Sequence, residues 1–390
     1  MTTSALSRWK LRPGAVALWS VVGAALVLLV AGAFAEPPRA FSGLLAAALF
    51  GLSLALGAAF FIAIMGVAGA RWWLPLRGVA SALAGTLAVP AALLAFTLVT
   101  GLTVLYPWAN GAASHLGHGK AAWLSAAPFL ARAIGILAIW LGLVALLRSR
   151  IPALASGTKG RAPFGRACAL FVVVLAPTIS VGYWDWAMSL EPHWFSTMFG
   201  VYAFSGSFLG GIAAITVLAI ALDRRGLLPQ PLDDARLHDL GKLLFAFTMF
   251  WAYIWFCQYL LIWYANLPEE VPHYLVRMKG GWATVFWLNP ILSFGIPFFA
   301  LLSEGVKKRP AVLFQVSLVV LLGRWVDTWL LVAPPGEAAP GFPLYAISGA
   351  ILVTLGMGVL FLRLHSGPSL KTASPGPETL MSGAAAAPRR

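Results

Sequence analysis

Apolar residues fill this chain in long blocks separated by short polar stretches. Ten runs of 18 or more mostly apolar positions recur, at about 15–34, 41–64, 79–105, 125–147, 165–183, 198–222, 241–264, 284–303, 311–332 and 343–362. Each is long enough as a helix, at 1.5 Å per residue, to cross about 30 Å of hydrocarbon. Gly, Ala and Pro recur inside the runs. Small residues allow helices to approach closely in lipid, and neighbouring helices can satisfy the backbone groups that proline frees. The first run is ended by Pro37 and Pro38 without a persuasive cleavage site, so it reads as a retained helix and not a signal peptide. The pattern predicts an all-α polytopic membrane protein: an N-terminal arm over 1–14, a ten-helix membrane domain over 15–362, and a Pro-, Ser-, Gly- and Ala-rich tail over 363–390 that reads as disordered.

Composition agrees with the blocks. Of the 390 residues, 60% are hydrophobic and only 10% are charged, where a soluble domain carries roughly 25%. The formal charge of +14 comes from 27 Lys and Arg against 13 Asp and Glu. In a soluble protein that balance would suggest nucleic acid; here it sorts by side of the membrane. The N-terminal arm, the tail and the even-numbered connections, with Arg166 and Lys242 at the adjoining span ends, hold 21 of the basic residues, and the odd-numbered connections hold four, Arg39, Lys120, Arg277 and Lys279. The other two, Arg132 and Arg324, fall inside predicted spans. The bias puts both termini on the cytoplasmic side, which requires an even number of spans.

Several chemistries lack their residues. The two cysteines, Cys168 and Cys257, both fall in apolar runs, and no C-x-x-C or C-x-x-C-H occurs. None of the six histidines lies mid-span, so a facing histidine pair for a haem within the bundle is not expected. No G-x-x-x-x-G-K-[ST] loop is present for nucleotide phosphates. If the protein works in redox chemistry, its metal centres belong to partners.

Two segments concentrate candidate chemistry. The connection after the fifth span runs Gly182-Tyr183-Trp184-Asp185-Trp186 to Glu191-Pro192-His193-Trp194-Phe195-Ser196-Thr197 and has no Lys or Arg. It reads either as an interfacial aromatic belt or as a roof over a cavity, with Trp184, Trp186 and Trp194 walling a quinone-sized ring and Asp185 and His193 exchanging its protons with water. In the ninth span, Gly323-Arg324-Trp325-Val326-Asp327 places Arg324 and Asp327 three residues apart on one face. Charges within a span face the bundle interior and mark a pathway or a structural pair. Arg132 reads as snorkelling, Gln258 as a helix–helix hydrogen bond, and Glu304 as a solvated end charge or a proton entrance.

The stretch from Trp184-Asp185-Trp186 through Pro192-His193-Trp194-Phe195-Ser196-Thr197 to Phe199-Gly200-x-Tyr202, with Gly323-Arg324-Trp325-x-Asp327 and ten spans, resembles the membrane subunits of alternative complex III, a quinol:cytochrome c oxidoreductase. The likeness covers roughly 15–362 and is greatest to the smaller of that complex's two homologous quinone-binding membrane subunits. That group is related to the NrfD/PsrC-like membrane subunits of polysulfide- and nitrite-reductase complexes. The resemblance implies two four-helix bundles plus two additional helices in a bacterial inner membrane. It implies partners: a larger homologous membrane subunit, an iron–sulfur protein, multihaem and monohaem cytochromes c, and lipids. Menaquinone or ubiquinone would be the substrate, with iron–sulfur clusters and haem c in the partners. Asp185, His193, Arg324 and Asp327 would form the polar, proton-handling set, and Trp184, Trp186 and Trp194 the walls. A scaffold without a quinone pocket and a proton- or ion-translocating transporter remain alternatives on the residues alone.

Overall fold

The computed structural model describes residues 13–110, 117–156, 158–337 and 340–366. Most of the N-terminal arm, the tail beyond 366 and His115 lie outside the described residues. The described chain is helical throughout, and nine segments are long and apolar enough to cross a membrane. They are α2 (Pro37–Val67), α3 with α4 (Arg77–Gly85, Ala88–Leu105), α6 (Ala126–Arg150), α7 (Thr158–Trp186), α8 (Phe199–Asp223), α9 (Asp234–Ala265), α11 with α12 (Trp282–Pro290, Ile296–Ala300), α14 (Pro310–Val332) and α15 (Leu344–His365). The first apolar helix, α1 (Pro13–Ala35), has Trp19–Ala35 as a shorter apolar stretch. Short helices α5 (His118–Trp123), α10 (Val271–Met278) and α13 (Glu304–Lys307) lie in connections.

Prolines and caps explain where helices depart from the predicted runs. The third run breaks after Gly85, because Pro90 has no N–H to give the Thr86 carbonyl, which takes a bond from Val89 N at 3.0 Å instead. The eighth run breaks at Pro290 into one π-turn, Ile291–Gly295, the kind of local widening that recurs at functional sites. The seventh starts two turns early, at Asp234, since the Asp233 side chain accepts from Arg236 N at 2.9 Å and caps it.

Two helices form the centre. The apolar windows of α2 and α8 are 89% and 83% buried, whereas the other spans leave a large share of their surface outward, as lipid-facing helices do. α2 packs against α1, α3, α4, α7, α8, α14 and α15. Glycine sets these approaches: a Cβ on Gly57 would lie 2.0 Å from the Ser207 carbonyl oxygen, and one on Gly43 2.7 Å from the Tyr345 carbonyl carbon. The backbones of α2, α8 and α15 therefore touch, and dispersion plus backbone contact stand in for the hydrophobic drive that lipid does not supply. α14 packs against both α2 and α8, and against α9 and the broken α11–α12 pair.

The contact predicts a mutational outcome. Gly57→Leu drives a side chain into the α8 backbone, which costs on the order of 3 kcal/mol or more. The thermal midpoint and the yield of monodisperse protein in detergent should both fall sharply. Gly142→Ala, where nothing lies within 4 Å of the new Cβ, should leave both unchanged.

Candidate functional site

The polar core of the membrane region is built on α14. Arg324 and Asp327 are 3% and 1% exposed, and Arg324 Nη2 meets Asp327 Oδ2 at 2.5 Å. A carboxylate in an apolar bundle is tolerable only when its lone pairs are taken. Asn289 Nδ2 donates to Asp327 Oδ1 at 2.5 Å, and the Tyr202 hydroxyl donates to the same oxygen. Ser293 Oγ donates to Asn289 Oδ1 at 3.2 Å. Asn289 and Ser293 come from the α11 end and π-turn that Pro290 creates. A Cβ on Gly323 would sit 2.5 Å from Ser293 Oγ, so α14 can approach the π-turn only with glycine there. Gly206 of α8 leaves the room in which the Arg324 guanidinium lies, since a Cβ there would be 2.2 Å from Nη2. The guanidinium also lies 5.2 Å from the Trp251 ring. Its Nε and Nη1 find no hydrogen-bond partner among the described residues.

A second cluster lies one helical turn further along α14, at the end of the bundle poor in basic residues. Here α10 runs between the spans that end at Ala265 and begin at Trp282, and buries His273, Tyr274 and Arg277. Arg277 Nε and Nη2 donate to the Leu330 and Leu331 carbonyls at 3.1 and 3.2 Å, capping the C-terminal end of α14 with a cation. Nη2 also meets Glu191 Oε1 at 2.7 Å. His273 Nδ1 lies 3.1 and 3.2 Å from the two Glu191 oxygens. The same ring nitrogen lies 3.0 Å from Arg277 Nη1, and Arg277 Nη1 donates to the His273 carbonyl at 2.7 Å. The His273 ring stacks on Trp194, 3.7 Å between centroids and 6° from parallel.

A cavity joins the two clusters. It is lined by Asp327, Tyr202, Gln258, His273, Tyr274 and Arg277 among others, and its volume of about 20 Å³ holds roughly one water. Glu191, with 20% of its side chain exposed, is where the series reaches the surface. Among the described residues no three or more His, Cys, Asp or Glu side chains are grouped to hold a metal ion.

The residues singled out from the sequence separate. Arg324 and Asp327 are paired, as described. Asp185 is fully buried but belongs elsewhere: Arg132 Nε and Nη2 reach its oxygens at 2.7 and 3.2 Å, and Trp123 Nε1 donates at 2.8 Å. That set ties the end of α7 to α5 and α6. His193 is exposed, and no hydrogen bond or ion pair holds its ring among the described residues. Trp186 is buried edge-on against Trp140, 5.5 Å between centroids, and Trp184 is half-buried against the core. Neither they nor Trp194 line the cavity at Asp327, whose aromatic walls are Tyr202, Trp255, Tyr274 and Phe286. Glu304 pairs in the open with Lys308, at 2.7 Å.

Sequence reasoning missed His273, Tyr274 and Arg277. Their signal was available: His273 and Arg277 are four apart in Val271-Pro272-His273-Tyr274-Leu275-Val276-Arg277-Met278, with Leu275 and Val276 on the other, exposed face. The partner Glu191 lies more than 80 residues away, beyond any local pattern.

The cluster has a sign in pH. Burial alone would raise Glu191, but the Arg277 guanidinium and the His273 hydrogen bond overcome it and hold the carboxyl at about 2. Burial, then the Arg277 charge, pushes His273 down to about 4 against the pull of Glu191. The unfolded chain would take these protons near the ordinary 6.5 and 4.5. The stabilisation is therefore complete above pH 6.5 and is lost as pH falls toward 4 and below. The thermal midpoint should drop between pH 7 and pH 4, and in His273→Phe the part of the drop above about pH 4.5 should vanish. An identical slope in the variant would contradict this assignment.

Comparison with known proteins gives a coarse placement. No model of a known protein family matches the chain. A Halobacterium salinarum protein described as a candidate membrane subunit of dimethyl sulfoxide reductase is 27% identical over 183 residues, covering 42% of this chain and 39% of that protein. The chain thus spans well under half the length of that relative. The likeness is a distant relation to a membrane subunit described for dimethyl sulfoxide reductase.

Proposed function

We propose that this chain is an NrfD-like membrane subunit of a quinol:cytochrome c oxidoreductase of the alternative complex III kind, in which it handles the protons of quinol oxidation. The observation that carries the reading is the buried Arg324–Asp327–Tyr202–Asn289 cluster, joined through a water-sized cavity to His273 and the partly exposed Glu191. Intramembrane charges of this kind mark pathways, and the distant relation to a redox membrane subunit supports the setting. In this reading ten helices cross a bacterial inner membrane, α1 included, as two four-helix bundles and two further helices. Both termini are cytoplasmic and the Glu191 end faces outward. The larger homologous membrane subunit, an iron–sulfur protein and c-type cytochromes are the partners.

The reaction served is the loss of two protons and two electrons from quinol to give quinone. The electrons leave through a partner's iron–sulfur clusters and haems. On this chain, Asp327 accepts a proton at the oxygen that Tyr202 and Asn289 address, and Arg324 holds the carboxylate ready for it. The proton then crosses the cavity's water to the Glu191–His273 pair and the outer face. Asp185 with Arg132 ties α6 to α7 in this account, and Trp194 keeps His273 flat.

The test is Asp327→Asn in the assembled complex. Quinol-dependent reduction of the electron acceptor should fall by about two orders of magnitude, the usual worth of a positioned proton acceptor. Because Arg324 loses its buried partner in that variant, Arg324→Leu with Asp327→Leu removes both charges together and should assemble normally with the same loss of turnover. Wild-type turnover in the double variant would make the pair structural and the chain a scaffold.

A further inference from the structure

A pocket of about 480 Å³ opens between the last turns of α9 and the short helix α10. Its walls include Tyr259, Ile262, Trp263, Tyr274 and Leu275, and Asn266 gives a polar edge. The volume lies in the range of small-molecule sites, which are apolar and aromatic with a few placed polar groups. Trp263 and Leu275 are 64% and 43% exposed, so the mouth lies on the outer surface where α9 leaves the apolar layer. The inner wall is different in kind. Tyr274 is buried and lines both this pocket and the water-sized cavity that holds Asp327 and His273. The Tyr274 ring stands edge-on to Tyr259, 5.2 Å between centroids.

We propose that this pocket binds the ring of a lipid-borne hydroquinone, with Tyr274 as the partition between the ring and the proton-handling cavity. The inference rests on the redox reading above and gives it a place. Three features select the ligand. A mouth at the edge of the apolar layer admits a molecule that partitions into lipid, and its tail can follow α9 outward. Aromatic walls fit a flat ring by stacking or edge contact. An inner wall one side chain from a polar, water-sized cavity suits a ligand with ionisable hydroxyls. A lipid acyl chain has no use for that wall, and a hydrophilic solute would not favour that mouth. Benzoquinols and naphthoquinols share this chemistry. Tyr274 is a positioning residue in this account: its phenol is pushed up by burial and stays protonated, able to donate to a ring oxygen or to the cavity's water.

The test is photolabelling of the whole complex in membranes with a short-chain azidobenzoquinone and, separately, an azidonaphthoquinone, each reduced before illumination. Label should appear in the segment 259–278 and be competed away by excess unlabelled quinone of the same ring. Leu275→Trp, which fills the pocket from its exposed side, should lower the label at least about tenfold, a loss of about 1.4 kcal/mol in binding. Trp263→Leu, which removes a wall without adding bulk, should weaken competition in the same direction. Asp327→Asn should leave labelling intact while abolishing turnover. Label on another segment, such as the apolar groove lined by Phe60, Leu175 and Phe204, or label indifferent to Leu275→Trp, overturns the site. If label is misplaced but Asp327→Asn still abolishes turnover, the site alone fails. If no label enters the chain and Asp327→Asn turns over normally, the redox reading fails with it.

Discussion

The burial of one ion pair sets the terms for half of this molecule. Arg324 and Asp327 lie in the apolar layer with almost no exposure, where each unpaired charge would cost several kcal/mol. The surrounding chain removes that cost piece by piece. Glycine at 206 and 323 makes room for the guanidinium and for the close pass of α14. Proline at 290 opens the helix that brings Asn289 and Ser293 to the carboxylate. Tyr202, at the start of a nearly fully buried helix, supplies the remaining donor. Two nitrogens of Arg324 still lack partners among the described residues.

The same helix links this core to the surface. Arg277 bonds the carbonyls at the end of α14 and the Glu191 carboxylate together. One guanidinium thus ends a helix, seats α10 and fixes the acid that faces out. Between the two charged groups lies space for about one water, which separates the clusters without sealing them. Asp185 makes the contrast. Its oxygens are taken by Arg132 and Trp123 in direct contact, and it lines neither the water-sized cavity nor the pocket beside α10. Burial of a charge is common to both places; the pair on α14 adjoins the water-sized cavity.

Much of the fold was legible because lipid imposes a simple rule. A helix must stay apolar for about 20 residues, and the ten runs coincide with helices to within a few residues at most ends. Three of the exceptions have local causes in Asp233, Pro90 and Pro290, where a cap or a missing N–H decides what hydropathy cannot. The Arg324–Asp327 pair was legible too, since a spacing of three is a helix neighbour. The rest of the site was not. Tyr202 lies 125 residues from Asp327, and Arg277 lies 86 from Glu191. Those contacts depend on how spans pack, which period and charge count do not encode. The aromatic segment drew attention to His193, an exposed side chain, while the buried histidine, His273, stood in a loop read only for its charge. The tie between Arg132 and Asp185, 53 residues apart, was likewise invisible from either residue alone.

In the proposed mechanism the Asp327 carboxyl changes protonation as quinol is oxidised. Redox-induced infrared difference spectroscopy on the membrane-embedded complex reads that event directly. Cycling the quinone between its reduced and oxidised forms should produce a protonated-carboxyl stretch that shifts in heavy water and is missing in Asp327→Asn. An unchanged difference spectrum in Asp327→Asn, with the complex still turning over, would contradict the account and leave Arg324 and Asp327 as a fixed pair in a scaffold.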